Sequence, residues 1–265
     1  MLGKVKSIHF IGIGGIGMSG MAELLHKLGF NISGSDMNNS DRTKDLNNLG
    51  IIINEGHSQK NINGADVVVY SSAVKLNNPE IIAAENSHIP VIRRAEMLAE
   101  LLKVKPISIA IGGTHGKTTT CSMLGTILLE AETNPTLVIG GIVNKFQTNA
   151  ISGNGDVIVV EADEFDRSFL TLQPTMSLIT NLDLEHLDCY ENLEDLQEAF
   201  IQFANSVPFY NGETKTNRGI IRTMSSAELL TTLNDLKVNR RMPAEIAAAI
   251  IFAMSLSAHQ PPKAL

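Results

Sequence analysis

Residues 112–120 read Gly-Gly-Thr-His-Gly-Lys-Thr-Thr-Thr, and they lie between an apolar run, Ile107–Ile111, and a helix-like run, Cys121–Glu132. A glycine-rich turn between a buried strand and a helix directs backbone N–H groups into one concave space. The positive end of the helix dipole also favours phosphate there. Within this turn, Lys117 can reach terminal phosphates and the hydroxyl of Thr118 can bind Mg²⁺. The stretch therefore predicts a nucleoside triphosphate site in an α/β fold.

The turn departs from the common P-loop pattern at one position. That pattern has a glycine five residues before the glycine of the Gly-Lys pair, and this chain has Ile111 there. The alternative interpretation is a structural corner whose glycines serve only close packing, but Gly-Lys-Thr-Thr after a buried strand favours phosphate. The candidate ATP-binding residues are Gly113, Thr114, His115, Gly116, Lys117, Thr118 and Thr119.

The composition narrows the classes of function. The chain has 265 residues, enough for two domains, and its apolar content of 43% supports real cores. A net charge of −7 without a basic stripe argues against nucleic acid as a partner. No apolar run reaches the roughly 18 residues of a membrane span, and Met1–Ser7 is too short for a secretory signal. Cys121 and Cys189 form no metal or disulfide pattern. We therefore expect a cytoplasmic protein that binds neither membrane nor nucleic acid.

Strand-like and helix-like runs alternate through most of the chain, which predicts parallel sheets covered by helices. The predicted strands are Ser7–Ile11, Asn31–Gly34, Val67–Tyr70, Val91–Ile92, Ile107–Ile111, Val157–Glu161 and Met176–Thr180. The predicted helices are Ser19–Leu28, Thr43–Leu49, Pro79–Asn86, Ala95–Leu102, Cys121–Glu132 and Leu193–Ser206. We expect a Rossmann-like parallel-sheet domain over residues 1–103 and an α/β domain of the P-loop ATPase type over residues 104–210.

An earlier glycine cluster, Gly12–Gly17, follows the first predicted strand and fits the G-x-G-x-x-G pattern of dinucleotide-binding folds. Asp36 follows the second strand, where such a fold binds a ribose. The cluster leaves three alternatives open. It is typical of an NAD site, and hence of an oxidoreductase. It also suits another nucleotide diphosphate, because an N–H cradle recognises phosphate rather than nicotinamide. The third alternative is a tight turn without a ligand.

Polar residues follow two later strands. Glu161 ends a buried strand, and because ligands of α/β sheets bind at the carboxyl ends of strands, its carboxylate is placed to hold Mg²⁺. A solvated acidic loop is the alternative for the next three, Asp163, Glu164 and Asp166, and it is the preferred interpretation for Asp166. His186 follows the next strand, but Mg²⁺ prefers oxygen ligands. A lone histidine is more often structural, but two strand ends place His186 and Glu161 at one site beside the predicted triphosphate loop, which favours a functional role.

These segments together resemble the Mur ligase family, from about Lys4 to Tyr210. The segments that carry the resemblance are His9–Gly20, Ser33–Asp36, Tyr70–Val74, Arg93–Leu98, Gly113–Thr119, Glu161–Glu164 and Thr180–Asp188. The histidine at position 115 and the Gly-Gly-Ile-Gly-Met loop favour the members that add alanine.

The resemblance implies an N-terminal domain that holds the UDP of a sugar substrate, not NAD, and a central domain that binds ATP and Mg²⁺. The implied reaction joins L-alanine to the carboxylate of UDP-N-acetylmuramate through an acyl phosphate, in peptidoglycan precursor synthesis. It implies Lys117, Glu161 and His186 as catalytic residues, and Thr118, Glu161 and His186 as Mg²⁺ ligands. The implied UDP-sugar residues are Gly14, Gly15, Ile16, Gly17, Met18, Asp36 and Ser72.

After Tyr210 the chain departs from the family pattern. We expect residues 211–265 to form an atypical helical tail, with the ATPase domain truncated and the family's C-terminal ligase domain absent. The alternative function is therefore an impaired or non-catalytic nucleotide-binding fragment, which binds the UDP-sugar better than it ligates.

Overall fold

The computed structural model describes residues 2–143, 148–183, 189–207 and 220–221. These residues form two compact units. The first comprises the described residues up to Val104 together with those of Gly140–Ser152, and the second comprises Lys105–Ile139 and the described residues from Gly153 onward. Across these ranges, no helix combines the length and the apolar character that crossing a membrane requires.

The first unit is built on a five-stranded parallel sheet with the strand order β3-β2-β1-β4-β5. Its strands are β1 (Ser7–Ile11), β2 (Asn31–Asp36), β3 (Ile52–Glu55), β4 (Val67–Tyr70) and β5 (Val91–Arg93). Its helices are α1 (Ile16–Lys27), α2 (Asp41–Asn48), α3 (Pro79–Asn86) and α4 (Arg94–Leu102). The chain moves outward from β1 to β3 and then returns to β4 on the other side of β1. The loops after β1 and β4 therefore flank the point where ligands of open α/β sheets bind.

Local side-chain bonds set the start of two helices beside that point. Ser40 caps α2 by accepting the N–H of Thr43, whose hydroxyl in turn accepts the N–H of Ser40. Asn78 caps α3 by accepting the N–H of Glu80 at 2.8 Å, with Pro79 in the first turn. Both caps fix the direction in which the chain enters the helix.

The second sheet has six strands in the order β11-β10-β6-β9-β7-β8. Its strands are β6 (Ile107–Gly112), β7 (Thr136–Val143), β8 (Thr148–Ile151), β9 (Val157–Glu161), β10 (Met176–Ile179) and β11 (Ile220–Ile221). The pairings of β6 with β9 and β10, of β7 with β9, and of β10 with β11 are parallel. The connection from β7 to β8 is too short for a parallel crossover, so β8 is antiparallel and the sheet is mixed.

Two helices accompany this sheet, α5 (Lys117–Glu130) and α6 (Leu193–Asn205). On α6, the side chains of Leu196, Phe200 and Phe203 are buried, as the helical spacing predicts, whereas Leu193 at its first turn is 37% exposed. The ring of Phe169 lies 4.9 Å from that of Phe200 and 5.1 Å from that of Phe203, measured between centroids. This aromatic cluster anchors α6.

Every strand and helix predicted between Ser7 and Ser206 is present, with ends that differ by a few residues. The largest shift is in α5, which begins at Lys117 and not at Cys121, because the last residues of the glycine-rich motif already form its first turn. Four of the described strands, β3, β7, β8 and β11, are additional to the prediction. The fold class is confirmed as α/β. Of the predicted helical tail, only Ile220–Ile221 lies within the described residues, and it forms strand β11.

Candidate functional site

The loop between β6 and α5 requires glycine at two positions. Gly113 has φ +126° and Gly116 has φ +80°, a region that favours glycine. A Cβ on Gly113 would overlap the hydroxyl of Thr180 and would lie 3.0 Å from the carbonyl oxygen of Asn181. The loop therefore packs against the end of β10 as closely as its backbone allows.

Asn181 holds the shape of this loop. Its carbonyl oxygen accepts the N–H of Thr114 at 3.1 Å, and its side-chain oxygen accepts the N–H of His115 at 2.9 Å. The hydroxyl of Thr114 donates to the carbonyl oxygen of Asp183 at 3.0 Å. Two of the loop N–H groups therefore bond to a neighbouring strand end. Asn181 was not among the predicted site residues, although its place after a strand end was the available signal.

The ammonium group of Lys117 lies over the loop that precedes it. It donates to the carbonyl oxygens of Gly113 at 2.6 Å and Thr114 at 3.1 Å, and to the carboxylate of Glu164 at 2.9 Å. Glu164 is only 1% exposed. The interpretation of Glu164 as part of a solvated acidic loop is therefore wrong: it is buried against Lys117, whereas Asp163 beside it is exposed.

Tyr190 supports the backbone at Glu164. Its hydroxyl donates to the carbonyl oxygen of Glu164 at 2.7 Å, and the guanidinium of Arg167 lies 4.7 Å from the centre of its ring. Burial raises the pKa of Tyr190 to about 12. The phenol therefore stays protonated near neutral pH and keeps donating this hydrogen bond.

Thr118 and Glu161 are brought together as predicted. The hydroxyl of Thr118, in the first turn of α5, lies 3.0 Å from each carboxylate oxygen of Glu161, at the end of β9. This pairing of a hydroxyl and a carboxylate fits Mg²⁺, which prefers oxygen ligands and keeps several waters. His186 lies outside the described residues. Within the described part of the chain, no group of three or more His, Cys, Asp or Glu is arranged to hold a metal ion.

Cys121 lies one turn farther along α5 and is fully buried. Burial raises its pKa well above that of a free thiol, and the nearby Glu161 carboxylate adds to this effect. The thiol is therefore neutral, and a neutral buried thiol is a poor nucleophile.

In the first unit, the loop after β1 is tied to the end of β2. The N–H groups of Gly12 and Ile13 donate to the carbonyl oxygen of Ser35 at 2.8 and 3.1 Å. The N–H of Gly14 donates to the carboxylate of Asp36 at 2.8 Å, and the other oxygen of this carboxylate accepts the N–H of Asn38. Asp36, the predicted ribose ligand, therefore holds the loop itself.

The predicted residues Ile16, Gly17 and Met18 form the first turn of α1. Met18 is 2% exposed. A Cβ on Gly17 would lie 2.8 Å from a guanidinium nitrogen of Arg94, at the start of α4. This contact places a fixed positive charge beside the glycine loop, and Arg94 was not among the predicted site residues.

A cavity of about 560 Å³ opens between the loops after β1, β2 and β4, a size typical of ligand sites. Two predicted residues, Gly15 and Asp36, line it. Ser72 is exposed, and its neighbour Ser71 lines the cavity instead. Sequence reasoning missed several lining residues, among them Met37, His57, Ser71, Lys75 and Asn78. Their positions after successive strand ends were the signal that could have found them.

A buried polar cluster lies behind this cavity. Its centre is Glu80, which is fully buried and accepts hydrogen bonds from the Ser35 hydroxyl at 2.6 Å and the Asn61 amide at 2.5 Å. A ring nitrogen of His9 and one of His57 each lie 3.5 Å from its carboxylate. Burial raises the pKa of Glu80, but the hydrogen bonds from these partners outweigh burial and lower it overall.

Comparisons with known proteins identify the family. Residues 7–106 match the model described as "Mur ligase family, catalytic domain", and residues 111–244 match the "Mur ligase middle domain". The chain belongs to the Mur ligase family. The second match extends past Tyr210, and the two matches together confirm the resemblance.

Two curated relatives of this Mur ligase chain are named UDP-N-acetylmuramate--L-alanine ligase. The protein from Syntrophus aciditrophicus is 50% identical over 234 residues, which is 88% of this chain and 47% of the relative. The protein from Aquifex aeolicus is 56% identical over 207 residues, or 78% of this chain and 45% of the relative. The chain therefore spans about half the length of the curated relatives it matches.

Solved Mur ligase structures confirm the fold. The UDP-N-acetylmuramate-alanine ligase of Thermotoga maritima is 36% identical with a TM-score of 0.70, over 76% of this chain and 47% of that one. The UDP-N-acetylmuramate:L-alanyl-gamma-D-glutamyl-meso-diaminopimelate ligase from Neisseria meningitides is 29% identical with a TM-score of 0.73, over 87% and 75%.

Proposed function

We propose that this chain carries the UDP-sugar-binding and ATP-binding parts of a ligase that joins L-alanine to the carboxylate of UDP-N-acetylmuramate. The observation that carries the proposal is the grouping of Lys117, Thr118 and Glu161 around a glycine loop at a strand end. The names of relatives 50% to 56% identical support the choice of substrates. We assign residues 1–103 to UDP-sugar binding and residues 104–210 to ATP binding, and we place the atypical helical tail after strand β11 (Ile220–Ile221).

In the proposed ATP site, the loop and first helical turn from Gly113 to Thr119 surround the phosphates. Lys117 neutralises charge on the β- and γ-phosphates. Thr118 and Glu161 hold Mg²⁺, and the family pattern adds His186, which the structure does not describe. When bound, the ion supplies positive charge to the phosphates. Because the reaction joins two anions, positioning and positive charge dominate its catalysis.

The proposed UDP-sugar site is the cavity of the first unit. The start of α1, at Ile16 and Gly17, directs backbone N–H groups and the helix dipole toward the diphosphate. Arg94 beside Gly17 adds a full positive charge. Asp36 and Ser72 remain candidate UDP-sugar-binding residues. Asp36 forms a hydrogen bond to the glycine loop, and the residue next to Ser72 lines the cavity. Backbone N–H groups and a helix N-terminus recognise a nucleoside diphosphate, and they do not select for nicotinamide. We therefore do not favour an oxidoreductase.

The chemistry follows from the weakness of a carboxylate as an acylating agent. A carboxylate oxygen of the muramate attacks the γ-phosphorus of ATP, and ADP leaves. The amine of L-alanine then attacks the acyl carbon, an amide bond forms, inorganic phosphate leaves, and the amine gives up a proton. Each step has a good leaving group, which direct displacement of oxide lacks. The proposed setting is the cytoplasm, with no membrane or nucleic acid as partner.

Release of ADP tests the ligase. In a coupled assay, ADP release that requires both UDP-N-acetylmuramate and L-alanine supports it. Saturable binding of both nucleotides without turnover supports the second candidate, a non-catalytic nucleotide-binding fragment. Saturable NADH binding with no binding of UDP-sugar contradicts both candidates and favours the oxidoreductase.

A further inference from the structure

The ammonium group of Lys117 is held by three acceptors of the second unit. They are the carbonyl oxygens of Gly113 and Thr114, at 2.6 and 3.1 Å, and the carboxylate of Glu164, at 2.9 and 2.8 Å from its two oxygens. An ammonium group has three protons to donate. These acceptors are sufficient for all three protons.

The three acceptors differ in kind. Two are neutral carbonyl oxygens of the phosphate loop itself. The third is a carboxylate from the segment after β9, with a side chain 1% exposed and its backbone fixed by the hydroxyl of Tyr190. A phosphate oxygen is also an anionic acceptor, so it competes with the carboxylate for the same proton of Lys117.

We infer that Glu164 is a positioning residue that holds the ammonium group of Lys117 aimed across the loop, and that a nucleotide phosphate displaces Glu164 from Lys117. The inference rests on the proposed ATP site. Part of the free energy of nucleotide binding is then used to separate the ion pair. Glu164 therefore weakens the affinity of the loop for nucleotides that carry a β-phosphate.

The substitution Glu164→Gln tests this directly in the 265-residue chain. Glutamine keeps the shape and leaves an amide oxygen to accept from Lys117, but it removes the charge that competes with phosphate. We expect ADP and a non-hydrolysable ATP analogue, both with Mg²⁺, to bind about fivefold to tenfold more tightly by calorimetry. AMP has no β-phosphate, and its affinity should change less than about twofold.

Asp163→Asn is the matched control for charge. It removes the same charge from the neighbouring, exposed position, and asparagine can still accept the N–H of Phe165 that Asp163 accepts. Its nucleotide affinities should stay within about twofold of the wild type, because exposed charges are screened by solvent.

A variant that lacks Lys117 distinguishes the inferred role of Glu164 from direct repulsion between the Glu164 carboxylate and the phosphate. In Lys117→Met, no ammonium group remains for which Glu164 and a phosphate could compete. Adding Glu164→Gln to that variant should then give no further increase in the affinity for ADP or the ATP analogue. An equal gain in both backgrounds would indicate that Glu164 acts on phosphate directly, and would overturn the inference.

The remaining outcomes are distinct. A wild-type chain that binds neither ADP nor the ATP analogue contradicts the proposed site and the inference together. A wild-type chain that binds them, with Glu164→Gln unchanged or weaker, contradicts the inference alone. If Glu164→Gln does not fold, Glu164→Asp withdraws the carboxylate by one methylene group. The same increase in ADP affinity is then expected, and an unchanged or lower ADP affinity in the folded variant overturns the inference.

Discussion

Gly14→Val is expected to weaken binding of UDP-N-acetylmuramate while leaving the ATP analogue nearly unaffected. A Cβ on Gly14 would lie 2.9 Å from the Asp36 carboxylate and 3.1 Å from the methyl group of Thr43. Atoms do not approach this closely without something shifting. Asp36 must therefore move, and the 2.8 Å hydrogen bond that it accepts from the N–H of Gly14 is lost.

The size of the effect follows from that bond. A hydrogen bond to a charged group contributes about 1.5 to 3 kcal/mol, and each 1.4 kcal/mol, roughly, is a factor of ten in affinity. If the bond holds the loop in the shape that receives a diphosphate, its loss raises the dissociation constant by about tenfold to a hundredfold. The two further methyl groups of valine add to the obstruction.

The assay is calorimetry with each ligand on folded protein. Gly3→Val is the control, because a Cβ at Gly3 has nothing within 4 Å, and both affinities should stay at the wild-type value. Thermal melting confirms that each variant folds. Equal losses for both ligands in folded Gly14→Val, or no loss for either, would refute the division into two nucleotide sites.

Three more changes have defined outcomes. Lys117→Ala should weaken binding of the ATP analogue by about tenfold to a hundredfold, while UDP-sugar affinity stays within about twofold by the same calorimetry. A parallel loss of both affinities would contradict the site. Phe203→Ala removes a buried ring of the aromatic cluster and should cost about 3 to 5 kcal/mol in urea unfolding, whereas Ile201→Ala, at a side chain 53% exposed, should cost under about 1 kcal/mol. The pKa of Glu80 is lower in the folded state than its unfolded value of 4.5, so the ionised carboxylate stabilises the fold. This stabilisation is fully present above the unfolded pKa and is lost as the pH falls through the folded-state pKa. Glu80→Gln should therefore show a flatter loss of unfolding free energy below about pH 5 than wild type, and an identical slope would contradict this role.

The sequence was sufficient to predict the strands and helices that have strong local patterns. Continuous apolar runs such as Val157–Val160 indicate strands buried on both faces, and the glycine motifs fix where two of these strands turn into helices. Strand β3 was missed because it is a short edge strand whose Ile52 is 69% exposed. Strand β7 was missed because Gly140 and Gly141 interrupt its apolar run, and glycine weakens a strand pattern.

Among the candidate site residues, position at a strand end predicted one contact in space, whereas other contacts had no signal in the sequence. Thr118 and Glu161 were predicted to meet because both follow strand ends, and they do. The burial of Glu164 against Lys117 had no local signal, because an acidic run reads as a solvated loop. Asn181 and Arg94 likewise acquire their roles from strand order and helix packing, which a single sequence does not display.

The most direct test of the account is ADP release by the purified chain, measured with ATP, Mg²⁺, UDP-N-acetylmuramate and L-alanine supplied together and with each omitted in turn. The account predicts release that depends on all four and that is lost in Lys117→Ala. Multiple-turnover ADP release that continues without UDP-N-acetylmuramate or L-alanine, or that persists in Lys117→Ala, would contradict it.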